Sequence, residues 1–90
     1  MLDKVKNALR LKTSSFDVEV EGLIAACIAD MRLSGINFLD NQPDPLIERA
    51  IILYCKGNFG YIEGNERFRE AYSFQKHSLS LAGDYVDVEQ

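Results

Sequence analysis

Two cysteines, one histidine and two short sets of carboxylates are the side chains of this 90-residue chain that could do chemistry. A cysteine beside a histidine could act as a nucleophile, and clustered carboxylates could hold a divalent cation, if the fold brought them together. The spacing argues against both. Cys27 and Cys55 are far apart in sequence, each within an apolar pattern of helical period and without a second ligand at metal spacing, so two buried free thiols are expected. His77 falls on the polar side of the last helical pattern and is expected to be solvated. Asp17, Glu19 and Glu21 gather where a helix begins and carboxylates offset the positive end of its dipole, while Glu63, Glu66 and Glu70 alternate with arginines as a solvated face. The glycines of "GNFGYIEGN" (57–65) could suggest a phosphate cradle, but no lysine follows at the P-loop position. No nucleophile elbow, zinc-binding helix or paired-cysteine motif occurs. The expectation is no enzyme: no catalytic residue, no metal and no cofactor.

The elements that carry these residues read as helices. "LDKVKNALRL" sets Leu2, Val5 and Leu9 on one side with Ala8, and Lys4, Lys6 and Arg10 outward. "KTSS" offers hydroxyls to cap a second helix running from Phe16 to Leu33, where Val20, Leu23, Ile24, Cys27, Ile28 and Met31 form the core face, widened by Ala25, Ala26 and Ala29. Gly22 costs about 1 kcal/mol there relative to alanine, and serves close backbone approach or is simply tolerated. Gly35 suits the left-handed closure of that helix, and "INFLDNQPD" is a loop. Asp44 followed by Pro45 starts a third helix, running to about Asn58. Asn65 is placed to cap a fourth, whose stripe is Phe68, Tyr72, Leu79 and Ala82 with Ala71 and Gln75 alongside, Phe74 and Leu81 off it, and Gly83 at its end.

The third helix is apolar round nearly its whole circumference, and four helices offer few neighbours to enclose it. Ile52, Leu53 and Tyr54 are therefore the expected subunit contacts. The tail "DYVDVEQ" alternates apolar and acidic residues; it would suit a strand if a partner edge were available and would otherwise be disordered. The fold class expected is all-α, a small bundle of four helices with a short first helix, a long second helix, a C-terminal helical hairpin and an irregular or induced-strand tail. One helical domain over residues 1–85 and a flexible tail over 86–90 is the expected organisation, because a chain this short buries only about 60–65% of its unfolded surface and has no room for a second core.

Fourteen acidic against ten basic side chains give a net charge of −4, which disfavours tight binding to phosphate backbones. The N-terminus alternates charge and apolar residues rather than reading as a signal peptide, and no segment approaches the roughly 20 apolar residues of a membrane span. Cytosol or an assembly is the expected location.

The order of features resembles the small head-tail connector proteins of tailed bacteriophages, also described as head completion, adaptor or DNA-packaging proteins. "LDKVKNALRL" is similar to their opening helix, "FDVEVEGLIAACIADM" to their acidic-start, alanine-rich second helix, and "DPLIERAIILYCKGNFG" with "NERFREAYSFQKHSLSL" to their closing hairpin; the resemblance spans residues 1 to about 85. It implies a structural virion protein of a phage or prophage at the head-tail junction, present in the host cytoplasm during assembly. The implied assembly is a homo-oligomeric ring of identical subunits beneath the portal, formed from chains that can stay monomeric until the portal templates them. That ring would prolong the channel for genomic DNA without binding it specifically, and would meet a stopper or tail-completion protein. Within that frame Phe59, Tyr61 and Ile62 form a partner-facing loop, and Tyr85, Val86 and Val88 a tail that orders on docking. The alternative is a small helical regulatory or DNA-binding protein from the same kind of genome, since short helices and glycine turns are also the grammar of DNA readers. A recognition helix should present its basic and amide groups together, whereas Glu66, Arg67, Arg69 and Glu70 are interleaved with aromatics.

Overall fold

In the computed structural model, four helices follow one another: α1 (Leu2–Leu9), α2 (Asp17–Leu33), α3 (Pro45–Asn58) and α4 (Asn65–Leu81). The structure describes residues 1–38, 44–60, 64–83 and 85, and its fold class is all-α.

α3 is the hub. It packs against α1, α2 and α4, with α4 its most extensive neighbour. Ile47, Ala50, Ile51, Leu53 and Cys55 are buried along it, so the all-round apolar helix is enclosed largely by its own chain. The entry to α3 follows the Asp-Pro signal: the Asp44 carboxylate oxygen Oδ1 accepts from the Leu46 and Ile47 amides, each at 3.0 Å, and Pro45 occupies the first turn. Such a cap stabilises a helix by about 1 kcal/mol.

α2 presents its predicted core face. Val20, Ile24, Cys27 and Met31 are buried, and Leu23 and Ile28 half-buried. Two expectations about this helix need correction. Phe16 stands at the N-cap and makes no side-chain cap bond, because Thr13 and Ser15 bond one another instead, with Ser15 N–H donating to Thr13 Oγ1. Ala25, Ala26 and Ala29 do not widen the core face but are exposed. At about 100° per residue, Ala25 and Ala29 lie some 160° from Cys27, on the far side of the cylinder.

Helix ends show which turn chemistry was readable. Gly35 takes a left-handed φ of 86°, and the Ile36 amide returns to Met31 O, as a closing glycine should. α1 closes in the same way on a residue that is not glycine, Arg10 with φ 63°, while Leu11 N–H donates to Lys6 O. Asn65 does not cap α4. Gly64 holds the cap position with φ 89°, and the Asn65 amide donates instead to Gly60 O at 3.4 Å. α4 ends at Leu81 with Ala82 extended, so Gly83 lies beyond the closure.

Polar links join the elements: Lys4 pairs with Glu48 at 2.8 Å and Lys6 with Asp17 at 2.7 Å, tying α1 to α3 and to α2. Ile36, read from sequence as loop, is fully buried, since the turn at Gly35 folds the chain back onto the core.

Candidate functional site

The groups with chemical potential are used up in structure. Burial pushes the Cys27 and Cys55 thiols up to about 12, far from a reactive thiolate. Asp30 accepts from Tyr72 Oη at 2.6 Å and from Lys76 Nζ at 2.9 Å, a polar clasp between α2 and α4. The Tyr72 hydroxyl, followed by Lys76, holds the Asp30 carboxyl below its ordinary value, while burial and the aspartate raise Tyr72. His77 is exposed. Among the described residues no group of three or more His, Cys, Asp or Glu could hold a metal ion. What the geometry offers is surface for other proteins.

The hairpin of α3 and α4 closes at Gly57. A Cβ there would meet Arg69 Cγ at 2.6 Å and the Arg69 backbone nitrogen at 3.0 Å, so only glycine lets α4 approach this closely. Arg69 Nη1 then donates to Gly57 O at 2.7 Å. Beyond the hairpin end, Phe59 is half-buried and meets Phe16 edge-to-face, with ring centroids 5.5 Å apart at 87°. Tyr61 and Ile62 lie outside the described residues.

The residues proposed from sequence as subunit contacts divide. Leu53 is only 5% exposed and belongs to the chain's own core. Ile52 and Tyr54 are half-buried, and Tyr54 packs its ring on Tyr72, with centroids 5.1 Å apart. Tyr85 is held by its own chain: its carbonyl accepts from the Asn37 amide at 2.7 Å, and its hydroxyl donates to Asp44 Oδ2. The edge that the tail could pair with is therefore intramolecular at this residue; Val86 and Val88 lie outside the described residues.

Two exposed apolar faces were not singled out from the sequence. Val18, Gly22, Ala25, Ala29 and Leu33 recur at spacings of four, three, four and four along α2, directly opposite its core stripe, with Val18 84% and Leu33 89% exposed. Ala26 adjoins them, and no charged side chain interrupts the line. On α4, Phe74 and Leu81 are 71% and 72% exposed and point away from the Tyr72–Leu79 stripe. The signal was present in the residue numbers, because α2 is apolar on two opposite sides.

A family model described as phage connector protein matches residues 1–86. The chain belongs to the phage connector protein family. This is a structural family of the phage virion, and its assembly partners are virion components. No curated protein and no solved structure matches the chain. No helix among the described residues of this connector is long and apolar enough to cross a membrane.

Proposed function

We propose that this connector forms a ring of identical subunits between the portal and the tail, prolongs the DNA channel and completes the head after packaging. Family membership over residues 1–86 carries the reading. The uninterrupted apolar outer face of α2 supports it, since a helix apolar on two opposite sides wants a neighbour on each. An overall charge of −4 suits a channel that lets DNA pass without retaining it. The corner of Phe16 and Phe59, extended by Tyr61 and Ile62, is the proposed contact for the portal or the stopper. The chain after Tyr85, with Val86 and Val88, is the second. Of the three α3 residues, Ile52 and Tyr54 retain surface for a neighbouring subunit, with Leu53 packed behind them.

Mixing the purified protein with its cognate portal tests the reading. Co-sedimentation and a closed ring on the portal in negative-stain images are expected. Absence of portal binding, combined with sequence-specific retention of duplex DNA at physiological salt, would transfer the protein to the DNA-binding alternative.

A further inference from the structure

The outer faces of α2 and α4 belong to one chain, yet nothing in that chain covers either. They differ in kind. The α2 face is a shallow trough in which Gly22, Ala25, Ala26 and Ala29 lie between Val18 and Leu33, and a Cβ on Gly22 would meet nothing within 4 Å. The α4 face is two large knobs, Phe74 and Leu81, seven residues and so about 10.5 Å apart. Gly22 and Ala29 are also seven residues apart, which sets two small-residue hollows at the same interval.

We propose that Phe74 and Leu81 of one copy seat in the Val18–Leu33 trough of the next, making α2-on-α4 the repeating contact of the assembly; this rests on the ring reading above. Small residues let two helix axes approach to about 8 Å, and large side chains of the partner fill what they leave open. Charge selects α4 of another copy over α2 of another copy. α2 carries Asp17, Glu19, Glu21 and Asp30 against the single Arg32, so an α2–α2 contact would set Glu19 and Glu21 beside their own kind. α4 carries Arg67, Arg69 and Lys76 against Glu66 and Glu70. An α2–α2 contact would also leave Phe74 and Leu81 in water. Because the two faces differ, the contact is head-to-tail, the type that closes into rings.

The test is a charge pair built into exposed positions of the full chain, so that folding is spared: Ala29→Glu, Phe74→Lys, and both together. Far-UV circular dichroism should match the wild type for all three. Each single variant should raise the protein concentration needed to half-saturate ring formation on the portal by at least about tenfold, since it places an unpaired charge in a dry contact. In the double variant every interface regains a Glu–Lys pair, and assembly should return towards wild type. Unchanged assembly of both single variants, while the wild type still forms rings, would overturn the α2-on-α4 contact and leave the ring reading standing. Loss in the single variants without recovery in the double one would equally overturn it. A wild-type protein that binds the portal as isolated copies would overturn the ring and this contact with it.

Discussion

Gly22 and Gly57 both sit inside helices, and the same substitution to alanine should act on them with opposite sign. At Gly22 a Cβ enters open space, so the helix gains about 1 kcal/mol of propensity at no steric cost. At Gly57 the propensity gain is opposed by a contact at 2.6 Å with Arg69 Cγ and at 3.0 Å with the Arg69 backbone nitrogen. The first atom lies mid-chain in an arginine whose guanidinium donates to Gly57 O, and the second is backbone, so neither moves freely. Overpacking of this kind costs about 1–3 kcal/mol, and a strained Arg69–Gly57 bond adds about 1 kcal/mol. Net destabilisation of about 1–3 kcal/mol follows for Gly57→Ala, against stabilisation of about 1 kcal/mol for Gly22→Ala. Urea unfolding followed by far-UV circular dichroism at low protein concentration reads both. With a slope of about 1–2 kcal/mol per molar, the Gly22→Ala midpoint should rise by roughly 0.5–1 M and the Gly57→Ala midpoint should fall by at least as much. A Gly57→Ala protein as stable as wild type would show that α3 and α4 do not cross at that distance. Destabilisation by Gly22→Ala would show that the α2 outer face is already covered within the chain, removing the basis of the α2-on-α4 contact.

Cys27 and Cys55, held near 12 by burial, should have about one thiolate in a thousand or fewer at pH 8; labelling by a thiol-specific disulfide reagent should therefore be slow in the native protein and should accelerate in urea in step with unfolding. The Asp30 carboxyl is held below its ordinary 3.8 by Tyr72 and then Lys76, so its contribution is complete above that value and disappears as pH falls through the lower native one; an Asp30→Asn protein should lose stability less steeply below pH 3.8, measured by urea midpoints across the acid range. Asp44→Ala removes both the α3 cap and the acceptor for Tyr85, and should lower stability by about 1–2 kcal/mol while raising hydrogen exchange at the Asn37 amide; Tyr85→Phe should raise that exchange with a smaller loss of stability.

Large aliphatic side chains made the core legible. Val20, Ile24, Cys27 and Met31, or Ile47 and Ile51, can occupy one side of a helix only, and their spacing names it. Alanine carries little such information, because it costs little exposed and little buried; Ala25, Ala26 and Ala29 were read into the core by proximity in sequence although their angle puts them opposite it. Ile36 was hidden for another reason, since a buried loop residue follows no period. Asn65, Thr13 and Ser15 were misassigned because a capping side chain and a turn side chain are the same residue type, and only backbone geometry separates them. Tyr85 depended on a partner 41 positions away, Asp44, which no local pattern announces.

The misplacement of the surplus apolar surface has the largest consequence. Sequence reasoning put it on α3, the greasiest helix, whereas α3 is satisfied by the three helices around it. Had α3 been left open through Ile52, Leu53 and Tyr54, the isolated subunit would have an unfinished core, and folding would have to wait for neighbours. With α3 enclosed, the surfaces left for association are a line of small residues and two separate large ones on helices that already have a core face. Such faces cost a monomer little in solubility, yet they fit one another once copies are held side by side. A templating platform that raises the local concentration of subunits then supplies what their individual affinity lacks, so stable folding as a monomer and assembly as a ring do not compete in one sequence.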